Sequence, residues 1–171
     1  LNDANFAANF NDFNDRVHFF SHPVSRLPGS TTTGNGWAIM ATGAAHATGV
    51  GAGQTFWLYD NTDGTGDFTL QNHIDSGVPL VPDHIYSFEV QVVPASRTYS
   101  VAIVDQTSSA SFTSRAPLRF RDTNLEATHT FLHFGLQVTP TTDPRAFDID
   151  SVLISPAAGP VTLFNPNRSG A

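Results

Sequence analysis

Hydrophobic and polar residues alternate along two neighbouring segments near the middle of the chain. Every second residue in them is apolar: Tyr86, Phe88, Val90 and Val92 in the first, and Tyr99, Val101 and Ile103 in the second. A period of two is typical of strands with one buried face and one wetter face. The Pro-Ala-Ser-Arg turn between the segments is short. The pattern therefore predicts an antiparallel hairpin over residues 86–105.

The same reasoning predicts further short strands on both sides of this hairpin. They cover 17–20, 37–42, 54–60, 68–74, 110–113, 118–121, 128–138 and 147–154, with an edge strand at 161–164. Many evenly spaced strands with little helix favour an all-β fold, an antiparallel β-sandwich (jelly roll) of two stacked sheets. We expect a single domain over 1–171, with its core at about 12–154 and a Pro/Gly-rich tail after 155.

Composition and charge narrow the set of partners. The chain has 171 residues, of which 40% are hydrophobic, and 13 Asp and 2 Glu outweigh 8 Arg in the absence of Lys, giving a net charge of -7. No basic cluster is available to displace counterions from phosphates, so we expect no nucleic-acid binding. No apolar run approaches the ~20 residues that cross a membrane, so we expect no membrane insertion.

The chain contains no Cys, which excludes disulfides, thiol nucleophiles and Cys-ligated zinc together. Its first residue is Leu rather than Met, which is typical of a processed or excised domain.

Four short motifs follow one another in an order that resembles a known group. They are D-F-N-D at 12–15, G-W-A-I at 36–39, Y-S-F-E-V with R-T-Y-S-V-A-I in the hairpin, and F-D-I-D-S-V-L-I at 147–154. Together they resemble the concanavalin A-like lectin/glucanase superfamily, which includes laminin-G-like modules. The resemblance covers about 12–154. It implies two stacked antiparallel sheets with a concave face that binds sugars, in a secreted or cell-surface protein.

Two departures from that group bear on catalysis. The glucanase branch carries an E-x-D-x-x-E strand, whereas this chain has only Glu89 and Glu126, neither in such a motif. The Q-I-H strand of the alginate lyases is also absent. The resemblance therefore favours a non-catalytic, lectin-like module that binds a polysaccharide, with other domains of a larger protein or identical subunits as further partners.

The first candidate site is a polar strand face. Its predicted ligand-binding residues are His129, Phe131, His133, Gln137, Glu89, Gln91, His18, Trp57 and Tyr59. Sugars need planar hydrogen-bonding groups together with an aromatic surface for their C–H faces. Three alternatives stay open: a solvated outer face with incidental polar residues, a structural or adhesive surface-layer or filament subunit, and an enzyme.

The enzyme alternative is a polysaccharide lyase or glycoside hydrolase. A lyase needs a base to remove the proton next to a uronate carboxylate and a group that neutralises that carboxylate. His133, His129 and Arg16 are the residues that we expect in these roles.

Oxygen ligands suggest a structural Ca²⁺ ion at one of two places. The resemblance points to the chain ends, where Asp12 and Asp15 would meet Asp148 and Asp150. The alternative is the loop with Asp60, Asp63 and Asp67, which lacks the Glu of an EF-hand and reads equally well as a hairpin turn around Asp63-Gly64.

Histidine spacing argues against zinc bound within one strand. His129 and His133 would stand about 13 Å apart along a strand, which is too far for two ligands of one ion. His18 and His22 have the same spacing. A zinc site would need His residues from different strands.

Overall fold

The fold is known from a computed structural model. It describes residues 10–22, 36–49, 51, 54–67, 69–121, 131–137, 148–154 and 161–164, and for residues 22, 131, 137 and 161–164 it describes the backbone alone. Within these residues the strands are β1 (Arg16–His22), β2 (Ala38–Thr42), β3 (Thr55–Tyr59), β4 (His73–Pro79), β5 (Tyr86–Val93), β6 (Thr98–Asp105), β7 (Ser111–Thr113), β8 (Leu118–Arg119), β9 (Phe131–Gln137), β10 (Val152–Ile154) and β11 (Val161–Phe164). Among the described residues, 3₁₀ turns lie at Leu70–Asn72 and Pro94–Ser96.

The strands form two main antiparallel sheets. The first sheet has the order β4-β3-β2-β1-β9, and in the second β6 lies between β5 and β7 and also pairs with β8. Strands β10 and β11 form a separate antiparallel pair. The predicted all-β sandwich is thereby confirmed. None of the helices in the described residues has the length and apolar character needed to span a membrane.

The core lies between the two sheets. Its buried apolar side chains include Val17, Ile39, Phe56 and Leu58 from the first sheet and Tyr99, Val101 and Ile103 from the second. Burial of each large side chain contributes about 1.5–3 kcal/mol to folding. One buried polar group also joins the layers, because the Tyr99 hydroxyl donates to the carbonyl oxygens of Ala38 and Tyr59 in the first sheet.

The hairpin prediction agrees closely with the structure. β5 and β6 pair in a continuous antiparallel register from Tyr86 opposite Asp105 to Val93 opposite Thr98. The turn residue Arg97 has a φ of 55°, the left-handed conformation that closes the link between the strands. The alternating apolar residues of β6 are buried, as their period predicts.

The prediction of a strand over 68–74 is wrong for residues 70–72. Residues Leu70–Asn72 form a 3₁₀ turn, and the strand runs instead from His73 to Pro79. Asn72 is buried and hydrogen-bonded into the preceding loop, which stops the strand from starting earlier. The strand tolerates Pro79 because β4 is an edge strand, where a missing N–H removes no ladder hydrogen bond.

A second apolar cluster lies on the outer face of the first sheet. It contains Phe20, Ala38, Met40, Trp57 and Tyr59. Part of the segment 43–54 lies against it: the Thr42 hydroxyl donates to the Gly51 carbonyl, and a Cβ on Gly51 would lie 3.2 Å from Trp57 Nε1. Trp57 and Tyr59 are each 1% exposed, so they do not form the exposed aromatic surface that the sequence predicts.

Candidate functional site

The pairing of β1 with β9 brings predicted site residues together on the outer face of the first sheet. In this register Arg16 lies opposite Gln137, His18 opposite Gly135 and Phe20 opposite His133. The intervening residues of both strands, such as Phe19 and Leu136, pack against the core. Because side chains alternate along a strand, Arg16, His18 and His133 share the opposite face.

Three aromatic rings form a cluster on this face, called here the His18/Phe20/His133 cluster. The rings of Phe20 and His133 stack with their centroids 4.6 Å apart and an interplanar angle of 12°. The His18 and His133 rings also stack, at 5.1 Å and 25°. Phe20 is buried, His18 is half-buried and His133 is exposed. An imidazole surface backed by a buried phenyl ring therefore faces outward.

Gly135 provides the room for the two imidazoles. A Cβ at this position would lie 2.3 Å from Nε2 of His18 and 2.6 Å from Nε2 of His133. The tips of both rings thus lie over the same bare Cα. Glycine inside a strand often marks such a close approach. Histidines from different strands do come together here, although no group of three or more His, Asp or Glu in the described residues is arranged to hold a metal ion.

Glu89 and Gln91 lie elsewhere. They are exposed on the outer face of β5 in the second sheet, where Gln91 Nε2 donates to Glu89 at 2.9 Å. Their neighbours Phe88 and Val90 pack against the core, so alternation turns Glu89 and Gln91 to the opposite side of the sandwich from His18. The expectation that they adjoin the His face is therefore wrong.

Three predicted site residues from the segment 128–138 are described only in part or not at all. His129 lies outside the described residues. The backbones of Phe131 and Gln137 are in β9, opposite His22 and Arg16, but their side chains are outside the described set.

Asp12 and Asp15 form the turn that precedes β1. The buried Asp15 carboxylate accepts the backbone N–H groups of Asn11, at 3.1 Å, and of Asp12, at 2.9 Å. The Asp15 carbonyl also accepts the N–H of Gly43, at 2.8 Å. These bonds give Asp15 a role in closing the turn. The calcium site that would join this turn to Asp148 and Asp150 stays a prediction.

In the loop 60–67, Asp63 accepts hydrogen bonds from several protein donors. Its Oδ1 accepts the Thr65 N–H at 2.9 Å and the Asn72 side-chain amide at 2.7 Å, and its Oδ2 accepts the Thr69 hydroxyl at 2.9 Å. These hydrogen bonds hold the pKa of Asp63 well below its usual range, and the one from the Thr65 backbone N–H has the largest effect. A structural turn thus explains Asp63 well.

The other two acids of this loop also have structural contacts. Asp60 accepts the backbone N–H of Arg119 at 2.8 Å and its Nε at 3.0 Å. The carbonyl of Asp67 accepts the Tyr59 hydroxyl at 2.8 Å. Burial raises the pKa of Tyr59 to about 12, which keeps this hydroxyl a donor. Calcium binding by Asp60, Asp63 and Asp67 stays a prediction.

A cleft with a volume of about 350 Å³ lies between the two sheets, at a place that the sequence did not predict. His84, Asp83, Asp148 and Asp150 are among the residues that line it. His84 Nδ1 lies 2.7 Å from an oxygen of the buried Asp105 carboxylate. The hairpin register could have indicated this pair, since it places Asp105 opposite Tyr86, two residues after His84.

Asp105 is held as a charged acceptor. Burial raises its pKa, but hydrogen bonds from Ser108 and His84 and from the backbone N–H groups of Thr107 and Ser108 outweigh that effect. Its pKa therefore lies well below the usual range. A buried carboxylate of this kind fixes the orientation of the imidazole that it contacts.

No known protein family, curated protein or solved structure matches this chain. The resemblance to the concanavalin A-like superfamily consequently stays a prediction from sequence motifs. The function is therefore inferred from the fold and from the local chemistry of the His face and the cleft.

Proposed function

We propose that this protein is a non-catalytic carbohydrate-binding module that binds a polysaccharide on the outer face of its first sheet, outside the cell. The observation that carries the proposal is the His18/Phe20/His133 cluster with Arg16 on the same face. The sequence resemblance to lectin-like modules favours the same ligand class.

The chemistry of the cluster suits a sugar ring. The exposed face of His133, backed by Phe20, offers a flat surface on which the C–H groups of a pyranose can lie. The imidazole nitrogens can donate hydrogen bonds to hydroxyl groups or accept them, and the Arg16 guanidinium is a further donor group. Arg16 and His18 are two residues apart in one strand, so their Cα atoms are separated by about 7 Å. A bound sugar would reach both.

A polysaccharide lyase is the second candidate, because His18, His133 and Arg16 lie on adjacent strands of one face. One imidazole would take the proton next to a uronate carboxylate, and Arg16 would stabilise the charge that develops on that carboxylate. This alternative uses the same surface and predicts a product with an unsaturated bond.

Affinity electrophoresis tests the binding proposal. Native gels containing single neutral or acidic polysaccharides should retard the protein. His133→Ala and Arg16→Ala should each weaken retardation about tenfold or more, since a central contact is typically worth more than 1 kcal/mol. Gln91→Ala, an exposed change on the opposite sheet, is the matched control and should bind as the unmodified protein does.

Two results would contradict the binding proposal: no retardation by any polysaccharide of a broad panel, or unchanged retardation of both His-face variants. Growth of absorbance at the unsaturated-uronate band, lost in His133→Ala, would favour the lyase. Self-association without glycan binding would favour a structural or adhesive subunit.

A further inference from the structure

The cleft between the sheets has an aromatic wall. Phe88 packs against Phe19, with ring centroids 4.9 Å apart, and against Phe56, at 5.1 Å. Phe56 in turn contacts Tyr86 at 5.1 Å. All four rings line the cleft. Phe56 is buried, whereas Phe19, Tyr86 and Phe88 are half-buried, so these three rings are available to a ligand.

The polar groups of the cleft are acidic or accept hydrogen bonds. Asp83, Asp148 and Asp150 contribute to its lining, and in the described part of the chain no Arg does so. The sequence contains no Lys at all. Asp83 and Asp148 are both exposed. Among the described residues, those that line this opening therefore carry a net negative charge.

When its ring is neutral, His84 also presents an acceptor. Its Nδ1 contacts the Asp105 carboxylate, which can only accept, so Nδ1 carries the proton of the neutral ring. Nε2 then carries the lone pair and accepts. Tyr86 does not alter this balance, because its hydroxyl already donates to the Pro79 carbonyl at 2.8 Å and accepts the Val81 N–H at 2.8 Å.

We propose that this cleft binds an organic cation, an ammonium or guanidinium group on an apolar body. A cation that only donates hydrogen bonds matches the carboxylates and Nε2 of His84. The faces of aromatic rings attract cations and bury the attached hydrocarbon. A volume of about 350 Å³ is at the lower end of the range of small-molecule sites. This site lies between the sheets and is separate from the proposed glycan face.

An organic cation fits these residues better than a metal ion does. Calcium needs six to eight converging oxygen ligands. In the described residues no three His, Asp or Glu side chains are arranged to hold a metal. The aromatic rings would also contribute nothing to a calcium site.

Calorimetric titration with a matched series of probes tests the proposal. At pH 7.5 and low salt, n-hexylammonium should bind at least about tenfold more tightly than hexan-1-ol, and hexanoate should not bind. The double variant Asp83→Asn/Asp148→Asn should weaken n-hexylammonium binding about tenfold, because exposed ion pairs are worth up to about 1 kcal/mol each. The variant Glu89→Gln/Asp67→Asn removes the same charge elsewhere and should change binding less than twofold.

Further probes show whether the cation comes from a polypeptide or from a free amine. They also test the competing explanations. N-acetyl-lysine N-methylamide binding as tightly as n-hexylammonium would indicate a lysine side chain of a polypeptide, and much weaker binding would indicate a free amine; both support the proposal. Equal affinity for hexan-1-ol, binding of Ca²⁺ that Asp83→Asn/Asp148→Asn abolishes, or no binding of any ammonium probe would overturn it. Circular dichroism should show that both double variants keep the β-sandwich.

Discussion

His73, the first residue of β4, shows how one side chain makes folding depend on pH. Its Nε2 accepts the Gly51 N–H at 3.3 Å, and its ring packs against Trp57. Burial lowers the pKa of His73 below 6.5, and the nearby Asp75 partly opposes this effect. As the pH falls through 6.5, the unfolded chain binds a proton here before the folded protein does. The His73 contribution to stability is therefore present above pH 6.5 and is lost below it.

His73→Gln tests this account, because an amide oxygen can still accept the Gly51 N–H but does not titrate. We expect the drop in melting temperature between pH 7.5 and pH 5.5 to be smaller in the variant by roughly 2 °C, an amount that suits a partly exposed group in a domain of this size. Differential scanning calorimetry at both pH values measures it. Equal drops in the two proteins would show that His73 is not a source of the pH dependence.

At the scale of elements, two glycines differ in what surrounds them: one packs against backbone, and the other packs against side chains of the proposed site. Gly43 follows β2, and a Cβ there would lie 2.5 Å from the backbone carbonyl carbon of the buried Phe10. Gly135 lies inside β9, where the atoms nearest to a Cβ would belong to the His18 and His133 rings. Backbone cannot move aside cheaply, whereas an imidazole can rotate.

We therefore expect Gly43→Ala to lower the free energy of unfolding by about 2 kcal/mol or more, as overpacking against backbone does. Gly135→Ala should cost less than about 1 kcal/mol, since the change is met by side-chain rotation. It should instead shift the NMR signals of His18 and His133 and weaken glycan retardation. Urea denaturation of both variants compares the costs, and a Gly135→Ala variant less stable than Gly43→Ala would contradict this reasoning.

The elements that sequence predicted well are those that local chemistry determines. The hairpin 86–105 needs only alternation and a short turn, so its register and buried face follow from neighbouring residues. The strand predicted at 68–74 fails because Asn72 is held by Asp63, nine residues earlier in the chain, a contact that no local pattern reveals. The separation of Glu89 from His18 has a similar cause, because alternation does not say which sheet a strand joins.

At the scale of the whole molecule, the sequence predicted the architecture but not which reactive side chains lie close together. The number and spacing of the strands were enough to predict a β-sandwich. The His18–His133 contact depends on β1 pairing with β9, more than a hundred residues apart in the chain. The cleft depends on β1, β3 and β5 meeting residues 148–150. Alternation alone predicts an exposed Trp57, because it cannot show that a loop covers the outer face of a sheet.

Tyr99 offers a test of whether the two sheets are stabilised together. Its ring is fully buried, and burial raises the pKa of its hydroxyl, so the group stays a donor to the Ala38 and Tyr59 carbonyls across the core. Tyr99→Phe keeps the ring and removes these bonds. We expect a loss of about 1–2 kcal/mol in the free energy of unfolding, the usual cost of a buried hydrogen bond.

Because of where the tryptophans lie, the Tyr99→Phe experiment also tests whether the two sheets of the sandwich unfold as one unit. Trp57 lies in the first sheet and Trp37 directly precedes β2, whereas Tyr99 is in β6 of the second sheet. If the sheets unfold together, Trp fluorescence and far-UV circular dichroism should show the same lowered urea midpoint with an unchanged slope. A Trp transition that keeps its original midpoint while the circular dichroism transition moves would mean that the first sheet unfolds independently of the second.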